Sequence, residues 1–463
     1  MHERLERRMP MRSVVGKLII LLSFVCGATN VLFAEGAIPD SSDIRKELRE
    51  TWFEAPLSSV RENCTEVRTA KDGNRFQIRL EETDTTFSVV VAPRTEMPVD
   101  VYSESGKTTA VQDVYSSSAP GSWLLVRNKR SGNPLCVRYY FAPDSGVYVQ
   151  FSPIGKSAYG DFVVFGSYCA RQVPTGLPFE RFYAMSFSDV SALTKNTLPW
   201  RYAARREGAY DTTLSMIRVI RSRLANLVYA DDAMYDENGN PVSILTGAPR
   251  RMHTEDAGKM SLSSAGFVKW IADGIVYPMT RGGLKRRPLL EPTVSYDPVG
   301  FQGVLSEQYN ISFALDWTRN LAAAVFSVAT GKTYRYSESG VDMTEDPFAA
   351  EMTADSIKNT AGYVKDSGYP VSSLASLLYV FAAEYPGECY LAAIRETDRK
   401  RIPEVHAFNQ CAIFFPYFDD AGKFQCVVFR NNAESTLAEF SRAFRDDFIH
   451  LVRMRTTATF NPQ

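Results

Sequence analysis

The stretch Ser263-Ser-Ala-Gly-Phe-Val-Lys-Trp-Ile-Ala-Asp-Gly274 decides how the chain is read. Two serines stand where the first turn of a helix needs side-chain oxygens to take up its free N–H groups. Phe267, Trp270, Ile271 and Ile275 then recur at helical steps, which puts them on one buried face. Gly274 is a natural stop. The spacing predicts a capped helix over 263–274.

A strand pair lies downstream. Gln410-Cys-Ala-Ile-Phe-Phe-Pro416 and Lys423-Phe-Gln-Cys-Val-Val-Phe429 are joined by Phe418-Asp-Asp-Ala-Gly422 and predict a hairpin. A turn that sets Phe415 opposite Phe424 puts Gln425 opposite Phe414 and Gln410 opposite Phe429. Side chains alternate along a strand, so Gln410, Ala412, Phe414, Gln425 and Val427 would share one face. Cys411 and Cys426 would share the other, offset too far for a disulfide. Helices are predicted at 212–228, with Met216, Ile217, Ile220, Leu224 and Leu227 on one face, and at 371–383, before Pro386-Gly387. Another is predicted at 435–454, with Leu437, Phe440, Phe444, Phe448 and Leu451 inward. Residues 278–345 are punctuated by Gly and Pro and predict irregular structure. Asp236-Glu-Asn-Gly-Asn-Pro241 predicts a hairpin turn and lacks the twelve-residue loop of a calcium hand.

Upstream the texture changes. Arg75–Leu80, Thr86–Ala92, Ser122–Arg127, Leu135–Phe141, Gly146–Phe151 and Asp161–Phe165 alternate or run apolar with β-branched residues. Ser131-Gly-Asn-Pro134 and Pro143-Asp-Ser-Gly146 supply turns between them. Residues 41–190 therefore predict an antiparallel β domain, a sandwich or a small barrel. A linker over about 173–208 leads to the second part, so the fold class is α+β.

The N-terminus carries an address. Arg4, Arg7, Arg8, Arg12 and Lys17 precede the apolar run Leu18–Val25, which fades through Cys26-Gly-Ala to Ala34. That order is the signal-peptide pattern, with cleavage expected after Ala34. An uncleaved anchor that holds the chain at a membrane is the alternative, and a lipoprotein at Cys26 is disfavoured by the bulky Val25. No later stretch is apolar and long enough to span a bilayer. The protein is expected to be exported, periplasmic or secreted. Its 52 basic and 53 acidic residues nearly cancel, and no basic block stands out, so nucleic-acid binding has no electrostatic support. Cys64, Cys136, Cys169, Cys389, Cys411 and Cys426 follow the leader without metal or redox spacing. With only His253, His406 and His450 beyond it, neither a metal site nor a cofactor is expected.

The helix start and the hairpin together resemble the NlpC-type family of cell-wall peptidases, which are papain-like. That family's Asp-Cys-Ser-Gly-Phe motif at a helix start is matched by Ser263-Ser264-Ala265-Gly266-Phe267. Its His-Val-Ala-Ile-Tyr strand is matched by Gln410-Cys411-Ala412-Ile413-Phe414, and its third polar residue, after a Gly-Lys turn, by Gln425 in Gly422-Lys423-Phe424-Gln425. The resemblance implies a papain-like domain over 205–455, with 278–370 as a long insertion. It places Ser264, Gln410 and Gln425 at the nucleophile, base and orienting positions. The replacements change the chemistry. Serine needs a base to take its proton, and a glutamine amide does not titrate. The resemblance therefore implies an inactive, binding version of the fold, with peptidoglycan peptide or an envelope protein as partner. Two alternatives stay open: an active cell-wall hydrolase using Ser264 or His406, and a structural envelope protein unrelated to peptidases. His253 is expected in a solvated loop and His450 as a packing or surface residue. Tyr334, Tyr336, Glu345 and Asp346 form no recognisable constellation.

Overall fold

The computed structural model describes residues 38–463 apart from 104–105, 204–207, 252–257, 295–310, 353–356, 359–361, 366 and 401–403. The expected leader at 1–34 and His253 lie outside the described residues.

Short helices α1 (Ser42–Glu47) and α2 (Leu57–Glu62) precede ten strands. These are β1 (Glu66–Thr69), β2 (Arg75–Glu82), β3 (Thr86–Pro93), β4 (Thr95–Ser103), β5 (Gly106–Val114), β6 (Trp123–Asn128), β7 (Pro134–Tyr140), β8 (Val147–Ile154), β9 (Ser157–Val164) and β10 (Ser167–Pro174). Eight of them form one sheet in the order β1-β2-β3-β6-β7-β8-β9-β10, while β4 and β5 pair only with each other. Neighbours in the eight-stranded sheet run antiparallel. The expected sandwich or barrel is thus a single open sheet. Its apolar face, with Phe76, Val89, Leu125 and Val149, packs with Trp52 and Phe53 before the strands and Phe179 and Phe182 after them.

Helix α3 (Phe187–Thr194) leads to the second half. There follow α4 (Asp211–Arg223), β11 (Leu227–Tyr229), β12 (Ala233–Tyr235), β13 (Pro241–Ser243), β14 (Met260–Leu262) and α5 (Ser264–Thr280). Then come α6 (Arg286–Leu289), α7 (Phe313–Thr330), α8 (Tyr336–Ser339), β15 (Glu351–Met352), β16 (Ile357–Lys358), β17 (Tyr369–Pro370) and α9 (Leu374–Glu384). The chain ends through β18 (Glu388–Asp398), β19 (Val405–Phe418), β20 (Phe424–Arg430), β21 (Ala433–Thr436), α10 (Leu437–Ala443) and β22 (Phe448–Arg455). A six-stranded sheet runs in the order β17-β22-β18-β19-β20-β21.

Both faces of this second sheet are dry. Cys411, Ile413 and Phe415 of β19 pack with Leu391 and Ala393 against Phe267 and Ile271 of α5 and Leu315 and Leu321 of α7. Ala412 and Phe414 point the other way, with Leu377 and Phe381 of α9, into the core that also holds the inner face of the first sheet. The two halves therefore share a core. Polar contacts cross the same boundary: Asp144 accepts from the Phe424 amide at 2.8 Å, and Ser167 Oγ bonds Ser376 Oγ at 3.0 Å.

Several expectations are corrected. The first helix runs through Gly274 and Pro278 to Arg281, which takes a left-handed conformation at φ 59°. Gly274 is required by packing rather than by a stop, since a Cβ there would lie 2.6 Å from the Phe460 ring. The helix at 212–228 ends at Arg223, and Leu227 begins β11. Within 278–345, expected to be irregular, α7 is an 18-residue helix whose buried residues build the core. The helix at 435–454 splits into α10 and β22, because a strand covered on both faces has no alternation to distinguish it from a buried helix.

Candidate functional site at the start of α5

Ser263 holds the cap of α5. Its Oγ accepts from the Gly266 amide at 3.1 Å and donates to the Ala233 carbonyl at 3.2 Å. Gly266 lets the helix lie directly on β12: a Cβ there would sit 2.1 Å from the Ala233 oxygen. Ser264, the first helical residue, is 7 % exposed. Its Oγ accepts from the Cys411 amide of β19 at 3.3 Å. That amide lies on a part of β19 that β20 does not reach, since pairing with β20 begins at Ile413. The serine hydroxyl thus serves a donor that the ladder leaves without a partner.

A cavity of about 330 Å³ opens beside this contact, lined by Ser263, Ser264, Tyr229, Asp231, Asp232 and Phe313 among others. Its acidic groups are already engaged. Asp231 accepts from the Tyr229 hydroxyl at 2.7 Å, and this bond, with burial, pushes the phenol up from its ordinary range. Asp232 has φ 54° and accepts from Ser243 Oγ and from the Leu245 amide at 2.9 Å.

The three family positions do not come together. Phe415 pairs with Val427 rather than Phe424, and Gln425 pairs with Tyr417. The hairpin closes tightly at Asp419–Lys423, where Asp419 accepts the Gly422 amide at 2.7 Å and Gly422 has φ 73°. The pairing is shifted by three residues, and an odd shift inverts the faces. Gln410 and Gln425 therefore lie on opposite faces, and Gln410, alternating with Cys411 along β19, points away from α5: it donates to Glu396 at 2.8 Å and accepts from Arg430 at 2.5 Å. Gln425 stays at the hairpin tip, donating to Asp419 at 3.1 Å. Cys411 and Cys426 fall on opposite faces, and all six cysteines of the described residues are free. The side chain that β19 turns toward α5 is Cys411, a fully buried thiol pushed up by desolvation and so held as SH.

No histidine serves Ser264 among the described contacts. His406 lies exposed, its Nδ1 2.9 Å from Thr397 Oγ1. His450 is completely buried on β22, opposite Ala393. It belongs to a network that sequence reasoning missed. Arg319 of α7 holds Asp342 through Nη2 at 2.9 Å and Nε at 3.2 Å, and its Nη2 is 3.2 Å from His450 Nε2. The Tyr336 hydroxyl donates to Asp342, and Arg319 also reaches Thr293 Oγ1 at 3.2 Å. Burial would raise the Asp342 carboxyl, but the His450, Arg319 and Tyr336 contacts outweigh it and hold the group below its usual range. Tyr336 and His450 are thus a constellation after all. The sequence signal was one polar residue, His450, in an otherwise apolar run.

Residues 34–202 match a family model described as a domain of unknown function, DUF8515. The match spans the first sheet and its covering helices and stops before α5. Neither a curated protein nor a solved structure matches the chain. Among the described residues no cluster of His, Cys, Asp or Glu is suited to a metal ion, and no helix is long and apolar enough to cross a membrane.

Proposed function

We propose that the chain is an exported envelope protein whose second half is a degenerate NlpC-type, papain-like domain that binds a peptide of the cell wall without cleaving it. One observation carries the non-catalytic part. The Ser264 hydroxyl is committed to a buried backbone amide, and among the described contacts no base takes its proton. The binding part is supported by the open cavity at the same helix start, where hydroxyl, phenol and carboxylate groups stand beside the Phe313 ring.

Sedimentation with purified peptidoglycan tests this reading. Intact wall should retain the protein, glycan strands stripped of peptide should not, and no soluble peptide should appear. Peptide release that disappears in Ser264→Ala would make the protein an enzyme. Failure of intact wall to retain it would leave the structural envelope role instead.

A further inference from the structure

A second cavity lies along the flank of α5, separate from the one at its start. Its volume is about 560 Å³. Gly266, Trp270, Asp273 and Tyr277 line it from one face of the helix, at steps of four, three and four residues. Tyr235 and Glu237 of the β12–β13 hairpin and Arg281 after the helix complete the parts that matter here. Two aromatic side chains of the helix thus flank an aspartate on a stripe that would otherwise be core.

The floor is ionic. Lys269, fully buried, donates to Asp273 Oδ2 at 2.6 Å and to the Tyr235 carbonyl at 3.1 Å. Asp273 also accepts from the Leu284 amide through Oδ1 at 2.8 Å, and its side chain stays 20 % exposed. Its carboxylate therefore keeps lone pairs toward the cavity. Asp236 is spent on its own turn, accepting from the Asn238 and Asn240 amides at 2.9 and 2.8 Å. Glu237 has no ion pair among the described contacts, and its charge adds to the burial that pushes Asp273 up. The groups about the cavity are three carboxylates, Asp236, Glu237 and Asp273, against two cations, Lys269 and Arg281. Arg281 is exposed at the rim, where solvent and salt screen it.

We propose that this cavity is a binding site for a primary ammonium group carried on an apolar or aromatic body. The ammonium would take the open positions of Asp273 and the charge of Glu237, and the body would lie against Trp270, Tyr235 and Tyr277. A cation beside aromatic faces gains from their quadrupoles as well as from the carboxylates. The volume suits a small ligand rather than a folded partner. The site is independent of the wall-peptide reading, since neither Ser264 nor β19 contributes to it.

The test is calorimetric titration of the full chain with phenethylamine, with its neutral N-acetyl derivative and with 3-phenylpropionate. Phenethylamine should bind, and the other two should bind at least tenfold more weakly. Glu237→Gln, an isosteric change at a half-buried turn position without an ion pair among the described contacts, should weaken phenethylamine about tenfold. Asp273→Asn should abolish binding, with circular dichroism to confirm folding. Absence of phenethylamine binding at millimolar concentration, equal binding of the N-acetyl derivative, or binding unchanged in Glu237→Gln would each overturn the proposal.

Discussion

The two sheets are both antiparallel, yet they are built on different terms. The first is dry across one face and on the other carries only a small buried cluster, Val90, Ala92, Leu124 and Tyr140, and residues such as Val67 on its first edge strand remain 43 % exposed. The second is covered by α5 and α7 on one side and α9 on the other, so Tyr390, Leu391, Ala392 and Ala393 in succession are fully buried. A polar group in the first sheet can turn to water. A polar group in the second must find a partner inside the protein, and His450, Asp342, Arg319 and the Cys411 amide all do so. The difference teaches where function can be sought. Around the second sheet the His450, Asp342 and Arg319 side chains and the Cys411 amide are locked into contacts, and the described cavities open at its margins, beside α5 and along α6, α7 and α8.

Three substitutions would break or sharpen this contrast. The largest effect is expected for Asp342→Asn, which strands the Arg319 guanidinium, 4 % exposed. Removing one partner of a buried pair costs about 3–5 kcal/mol, measurable by urea denaturation. The same pair predicts a pH dependence. Asp342 is held below its ordinary range, so its stabilisation is complete above the unfolded value near pH ~4 and is lost as pH falls through the native value. Asp342→Asn should therefore flatten the acid limb of a stability profile, and an unchanged limb would show that other carboxylates set it.

A smaller effect is expected for Ser264→Ala. It leaves the Cys411 amide without its acceptor, which should cost about 1–3 kcal/mol. Amide hydrogen exchange at Cys411 should quicken relative to its neighbours in β19, and unaltered protection would mean that the serine does not serve it. The smallest effect belongs to Val67→Thr on the exposed edge of the first sheet. It should lie within about 0.5 kcal/mol of zero. A larger loss would show that this edge is covered by something in solution.

The same contrast explains what could be read in advance. Arg75–Leu80, Thr86–Ala92 and Leu135–Phe141 were legible as strands because their apolar and aromatic residues alternate or run with β-branched ones, and turns with Gly and Pro at 131–134 and 143–146 bound the last of them. In the second half, Phe448–Arg455 carries apolar residues at both parities and reads equally well as a helix. Phe313–Thr330 was hidden because its surroundings are rich in Gly and Pro, while its own Ala314, Leu315, Trp317, Leu321 and Val325 mark a helical face. At the candidate site the sequence singled out Ser264 at a helix start, and the structure sets that serine at the helix start against β19. It did not predict the hairpin register, which hangs on the turn at Asp419–Lys423, and a three-residue difference was enough to send Gln410 and Gln425 to opposite faces.

By itself the sequence determined the class of fold, the first group of strands and a serine-capped helix start at 263–264, since each depends on neighbours within a few positions. Tertiary structure alone decided which side chain of β19 faces α5, that His450 is buried beside Arg319, and that Trp270, Asp273 and Tyr277 line a cavity. These depend on packing between segments up to 200 residues apart, such as Trp270 Nε1 donating to the Gln463 carbonyl at 2.9 Å. Local periodicity carries no information about which distant surface a face will meet.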